Sequence, residues 1–104
     1  MADKLLTFLA LSGVIDVRSI EDAFGQIKQA SGPAGLELDL AEVTDVDLTF
    51  VQLIESARRG ATESGTTLRL AAPAGGLVLE TLQRGGFLSA PPDARTLFWA
   101  GVAS

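Results

Sequence analysis

Short apolar runs alternate along this chain with segments whose apolar residues recur at helical spacing. The runs from Leu5 to Leu11 and from Thr66 to Ala72 are bounded by Gly, Ser or Pro, which is typical of β-strands. The segment from Leu36 to Leu40 alternates strictly between leucine and an acidic residue, which predicts a strand with one buried face. Helical patterns follow these three runs, over residues 17–30, 48–64 and 77–84.

This β-α-β-α-β-α order favours a small, mixed but mainly parallel sheet in an α/β fold. If the strands pair in sequence order, right-handed crossovers place the helices largely on one face of the sheet. The length of 104 residues is enough for one core. We therefore predict a single domain over residues 1–104, in which residues 91–104 form a short extended tail.

His and Cys are absent from the sequence, and this limits the chemistry that the chain can perform. There is no thiolate nucleophile, no imidazole base and no ordinary His or Cys ligand for a metal. We therefore expect a protein that is not an enzyme and has no cofactor.

The balance of charge bears on possible partners. The 13 acidic residues exceed the 8 basic residues, for a net charge of −5, which argues against a nucleic-acid partner. No apolar run reaches the roughly 20 residues that a membrane-spanning helix needs, so direct membrane insertion is not expected. The first apolar run follows Asp3 and Lys4, a start with less positive charge than a signal peptide has, and it is interpreted as a strand.

Four carboxylates lie in and after the second predicted strand: Asp39, Glu42, Asp45 and Asp47. Sites in α/β sheets lie beyond the carboxyl ends of strands, and an acidic cluster there could hold Mg²⁺. Asp and Thr are equally favoured in turns and helix caps, and carboxylates also suit a basic partner. The residues alone leave these interpretations open, including a small metal-dependent enzyme that uses Asp39, Asp45 and Asp47.

The helix after Asp47 has an outer face that is uncharged over its first two turns. At about 100° per residue, this face holds Thr49, Gln52, Leu53, Ser56, Gly60 and Glu63, opposite Phe50, Ile54, Ala57 and Ala61. Small polar residues around one exposed leucine suit a contact surface, and a neutral helix without a partner has the same pattern. Thr49 is either a candidate phosphorylation site at the helix N-terminus or a plain helix-start hydroxyl.

Four segments carry motifs in a fixed order. The segment from Leu11 to Asp16 fits L-x-G-x-[IL]-D, and residues 35–47 fit an apolar strand with Asp-Leu followed by V-x-x-[IV]-D. Residues 65–73 fit a further strand, and the segment from Leu82 to Leu88 fits L-x-x-x-G-[FL]. Over residues 9–90 the chain therefore resembles the STAS domain, the family of bacterial anti-sigma factor antagonists. Against the family's pattern, the N-terminal hairpin and the C-terminal helix are shortened.

The resemblance implies a bacterial, cytoplasmic protein-binding module that acts in signal transduction and the regulation of transcription. Family members bind a partner, often an anti-sigma factor with serine-kinase activity, through the loop after an Asp and the following helix. Carried over to this sequence, the partner-binding residues are Asp47, Leu48, Thr49, Gln52, Leu53 and Ser56. In another branch of the family, a stand-alone STAS subunit supports the ATPase of an ABC-type lipid transporter, and this is the alternative function.

The usual phosphorylation switch does not fit this sequence. In many family members the partner phosphorylates the hydroxyl residue directly after the motif Asp, and added charge then blocks the complex. Leu48 occupies that position here, Thr49 follows it as a possible substitute, and Phe50 replaces the family's Gly.

The shortened ends also suggest self-association. A shortened fold exposes a sheet edge and an apolar tail, and an open edge invites pairing with another chain. We therefore predict a homodimer through the strand from Leu5 to Leu11 or through the segment from Leu97 to Trp99.

Overall fold

A three-stranded parallel sheet forms the centre of the structure, a computed structural model that describes residues 6–101. The strands are β1 (Thr7–Ile15), β2 (Gly35–Val46) and β3 (Thr67–Leu70), and they lie in the order β1-β2-β3. The helices are α1 (Ile20–Ala30), α2 (Leu48–Ser64), α3 (Gly76–Arg84) and α4 (Ala94–Trp99). The predicted α/β class is confirmed, and all pairs of described strands are parallel rather than mixed.

The core lies on one face of this sheet. Leu11, Leu36, Leu38 and Leu70 point from the three strands into a single apolar cluster. The helices contribute Ala23, Ile27, Phe50, Val51, Ile54, Val78 and Leu82 to the same cluster. Both strand–helix–strand crossovers run in the same direction across the sheet, so α1 and α2 lie on the same side of it.

β2 continues well beyond the predicted end at Leu40. Its second half pairs with the end of β1, with Ser12 opposite Glu42 and Ile15 opposite Val46. Two register shifts on β2 accommodate one additional residue each. Because these bulges absorb Asp and Thr residues that favour turns, β2 extends through residues 41–46 instead of ending at Leu40.

The first helix begins later than predicted. Residues 16–19 form a turn, and α1 begins at Ile20 rather than at residue 17. The carboxylate of Asp16 accepts a hydrogen bond from the backbone N–H of Arg18 at 3.0 Å. The hydroxyl of Ser19 donates to the carbonyl of Val14 at 3.0 Å and so fixes the turn to β1.

Residues 94–99 form a helix, so the prediction of an extended tail over residues 91–104 is wrong for that part, and residues 102–104 lie outside the described residues. The side chain of Asp93 caps α4 by accepting from the backbone N–H of Thr96 at 2.8 Å. Phe98 and Trp99 are buried within the protomer, and only Leu97 of the three residues from Leu97 to Trp99 is exposed. The segment therefore offers no large apolar surface for a homodimer.

Trp99 is held by a buried carboxylate on α2. Its indole N–H donates to Glu55 Oε2 at 2.7 Å, and Arg58 Nη2 donates to Glu55 Oε1 at 3.0 Å. The ring packs edge-to-face on Phe98, with centroids 5.2 Å apart, and lies 6.5 Å from the ring of Phe50. These contacts satisfy a carboxylate that would be costly to bury alone.

We expect Trp99→Phe to lower the free energy of unfolding by about 1–3 kcal/mol, because it leaves a buried oxygen of Glu55 without its donor. Urea denaturation followed by far-ultraviolet circular dichroism measures this change. Leu97→Ala on the exposed side of the same helix is the control and should have a clearly smaller effect. Equal stability of Trp99→Phe and the native chain would show that the hydrogen bond contributes nothing.

Substitution by alanine should change the free energy of unfolding in opposite directions at Gly35 and at Gly60. Gly35 has φ of 125°, and a Cβ there would overlap the backbone carbonyl of Thr67, so Gly35→Ala should cost about 3 kcal/mol. Gly60 is helical, and a Cβ there meets no atom within 4 Å. Gly60→Ala should therefore stabilise the chain by up to about 1 kcal/mol, since alanine is the better helix former. Thermal and urea unfolding of both variants test the pair, and a destabilising Gly60→Ala would contradict it.

Candidate functional site

Two loops meet at the carboxyl ends of β1 and β2. The turn over residues 16–19 follows β1, and Asp47 follows β2 directly. Because Ile15 and Val46 are paired, the two loops are neighbours. The backbone N–H of Val17 donates to Asp47 Oδ2 at 3.1 Å, which ties the first loop to the start of α2.

Asp47 is the N-cap of α2, which is consistent with its position directly before the helical pattern that begins at residue 48. Its Oδ1 accepts from the backbone N–H of Thr49 at 3.0 Å and also from the Thr49 hydroxyl. An N-cap of this kind stabilises a helix by about 1 kcal/mol. The Thr49 hydroxyl is therefore already engaged in the fold and half-buried.

The same contacts lower the pKa of Asp47. The hydrogen bond from the Thr49 hydroxyl is the largest cause, and the backbone N–H groups of Val17, Thr49 and Phe50 act in the same direction. Partial burial opposes them, because it disfavours the charged form. Asp47 consequently stays ionised at neutral pH and holds both loops by its negative charge.

Exposed apolar side chains flank this carboxylate on both sides. Leu48 is 49% exposed and Val17 is 66% exposed. The sequence pattern placed residue 17 in the first helix, which is wrong because that helix begins only at Ile20. The sequence signal for the exposure of Val17 is its position between two charged residues, Asp16 and Arg18. In the structure these residues form a turn that leaves Val17 outside the core.

We define the Asp47 surface as Val17, Asp47, Leu48, Thr49 and Gln52. Gln52 is exposed one turn along α2 from Leu48. Of the six residues carried over from the resemblance, four lie on this surface. The missed contributor is Val17, from a loop that lies thirty residues away from Asp47 in the sequence.

Leu53 and Ser56 belong to a different feature, an open groove between α1 and α2. The groove has a volume of about 410 Å³ and is lined by the side chains of Phe24, Lys28, Leu53 and Ser56 among others. Leu53 is partly buried against the core rather than exposed, so the expectation of an exposed Leu53 is wrong. The six predicted residues thus divide between the Asp47 surface and the rim of this groove.

The four acidic residues are not gathered into one cluster in the described structure. Asp39 accepts from the backbone N–H of Ala41 at 2.9 Å, and Asp45 accepts from that of Val46 at 2.9 Å, so both act locally in the bulged strand. Within residues 6–101, no group of three or more possible ligands is close enough to hold an ion. The metal-dependent enzyme on Asp39, Asp45 and Asp47 therefore has no support in the geometry.

A model of a known protein family matches this chain. The model described as "Mlab, STAS domain" matches residues 6–88, which is most of the chain and agrees with the resemblance over residues 9–90. The chain belongs to the STAS domain family. STAS domains are protein-interaction modules with regulatory roles, and the Asp47 surface lies where this STAS domain presents a loop and a helix together. A comparison with curated proteins gave no significant match.

Among residues 6–101, none of the helices is both long enough and apolar enough to cross a membrane.

We expect Asp47 to make stability depend on pH in the acid range. Because the pKa of its carboxyl is lower in the folded chain than in the unfolded chain, its stabilising contribution is fully present above the unfolded value, near 3.8. The contribution is lost as the pH falls through the folded value. Between about pH 5 and pH 2.5, the native chain should therefore lose more unfolding free energy than Asp47→Asn.

Asp47→Asn keeps one oxygen to cap the helix and does not titrate. Its amide nitrogen cannot accept from the Val17 N–H, so the comparison concerns only how the stability of each chain changes with pH. Urea unfolding at several pH values makes the comparison, and the other carboxylates, including Asp93, cancel between the two chains. Identical acid dependence of the two chains would contradict the assignment.

Proposed function

We propose that this STAS domain is a non-catalytic regulatory module that binds a partner protein through the Asp47 surface. The observation that carries the proposal is the exposure of Leu48 and Val17 on either side of a structurally fixed carboxylate. Exposed apolar side chains next to a hydrogen-bonded loop junction suit the apolar core of a protein interface. The absence of His and Cys from the sequence supports a role in binding rather than catalysis.

The proposed partner is an anti-sigma factor or a serine-kinase-like protein, as in anti-sigma factor antagonists, with a basic rim around an apolar contact. The proposal of a basic rim on the partner is supported by two exposed acidic residues, Glu42 and Asp45. They lie at the end of β2 that leads to the Asp47 surface, where basic groups of a partner would be attracted. The net charge of −5 acts in the same direction at long range. A positive partner would be attracted before the apolar residues make contact.

We propose that this binding is constitutive and needs no phosphorylation switch. Leu48 has no hydroxyl to modify, and the Thr49 hydroxyl donates to Asp47 within the N-cap. A phosphate on Thr49 would lie beside the Asp47 carboxylate, and the repulsion between the two would oppose the cap. The modification would thus disturb the helix start as well as the partner contact.

The second candidate is a structural subunit that supports the ATPase of an ABC-type lipid transporter. The specific observation in its favour is the same engaged Thr49 hydroxyl, because a permanently bound subunit has no need of a switch. Affinity purification from the native cell separates the candidates. Recovery of an ABC-type ATPase supports the second, whereas recovery of an anti-sigma factor or kinase supports the first.

We expect Leu48→Lys and Val17→Lys each to weaken partner binding at least about tenfold, because each places a charge at the apolar centre of the interface. Isothermal titration calorimetry with the recovered partner measures the change. Gln29→Lys, an exposed position on α1, has the same added charge and should bind normally. Normal binding by both Leu48→Lys and Val17→Lys would show that the interface lies elsewhere.

Mass spectrometry of the natively purified chain tests the constitutive mode separately. We expect Thr49 without phosphate and a complex that is stable to treatment with ATP. Stoichiometric phosphothreonine at residue 49, with release of the partner, would overturn that mode while leaving the Asp47 surface intact.

A further inference from the structure

β1 is an edge strand without the features that normally protect an edge. It pairs with β2 on one side, and no described residue forms a backbone hydrogen bond with its other side. Its nine residues include no charged residue and no Pro. Natural edges are usually short, charged or interrupted by Pro, because an open edge pairs with other chains. The opposite edge strand, β3, follows that rule: it has four residues and includes Arg69.

The side chains of β1 alternate cleanly between the two faces of the sheet. Leu11 and Ile15 are buried on the helix side. The residues that point away from the helices are all exposed: Phe8, Ala10, Ser12 and Val14. Phe8 is 57% exposed and Val14 is 49% exposed, so this face of the edge strand carries two large apolar groups without cover in the described structure.

We propose that two copies of this chain pair through β1 in antiparallel fashion, about a two-fold axis at Leu11. In this register Phe8 lies opposite Val14 of the second copy, and Val14 lies opposite its Phe8. Ala10 and Ser12 face each other in the same reciprocal way. The two three-stranded sheets then form one continuous sheet of six strands.

The register follows from which residues are exposed. A two-fold axis at Ala10 would put Phe8 opposite Ser12, and an axis at Ser12 would put Phe8 opposite Asp16. The axis at Leu11 alone among these three gives each large exposed side chain an apolar partner. Aromatic and β-branched residues opposite each other are among the favourable cross-strand pairs.

Charge and size set the expected strength of this dimer. The contact strip is neutral, so two chains of net charge −5 meet without opposing carboxylates on the paired strands. A strand of nine residues is about 30 Å long, and a strip about 10 Å wide covers about 300 Å² on each copy. A stable interface buries about 800 Å² per partner, so this smaller dimer should be weak, with a dissociation constant that is micromolar or higher.

Sedimentation equilibrium over about a hundredfold range of concentration tests the pairing. We expect the mass to rise from that of the 10.8 kDa monomer towards twice that value. Ala10→Lys should raise the dissociation constant at least about tenfold, because it puts a charge in the centre of the strip. Gln29→Lys on exposed α1 is the matched control and should dimerise like the native chain. Ser12→Lys repeats the test should Ala10→Lys fail to fold.

Engineered cysteines test the register, since the chain has no cysteine of its own. Residues directly opposite each other have Cβ atoms about 5 Å apart, whereas diagonal neighbours are about 7–8 Å apart. A mixture of Ala10→Cys and Ser12→Cys chains of different mass should therefore form mixed disulfide dimers faster than either chain forms its own. A monomer at all concentrations, a dimer insensitive to both lysine variants, or faster self-linking of the single variants would each overturn the proposal.

Discussion

The Asp47 carboxylate joins two segments that are far apart in the sequence, and the arrangement of the candidate site depends on it. One oxygen accepts from α2 as a helix cap, and the other accepts from the turn after β1. The pairing of Ile15 with Val46 brings these segments close, but pairing alone does not fix the loops. The carboxylate links the two segments by accepting hydrogen bonds from both. The positions of Leu48 and Val17 follow from that.

The order and bounds of several elements could be predicted because their signals are local. α2 has Asp47 at one end and Gly65 at the other, and the observed helix ends within a residue of both. The alternation from Leu36 to Leu40 correctly gives the buried face of β2. These patterns depend on helix capping, glycine conformation and side-chain period, which are properties of neighbouring residues.

The features that were predicted wrongly or missed depend on contacts with residues distant in the sequence. A pattern of neighbouring residues cannot indicate such contacts. β2 continues through residues 41–46 because β1 supplies hydrogen bonds, although Asp and Thr there favour a turn. Trp99 is buried because Glu55, 44 residues away, accepts its indole N–H. Val17 is exposed because the turn after β1 delays the first helix by three residues. For the candidate site, the resemblance supplied the predicted positions on α2, which stay a prediction, whereas the proximity of the first loop was recognised only from the structure.

The environment of Trp99 has a practical consequence. The chain contains one tryptophan and no tyrosine, so its ultraviolet emission comes almost entirely from a single indole. That indole is hydrogen-bonded to α2, the helix whose first turn forms part of the Asp47 surface. A shift of α2 against the core would change the polarity around the indole and therefore the wavelength of its emission. The molecule thus contains an intrinsic optical probe that reports whether a partner leaves this helix in place or moves it.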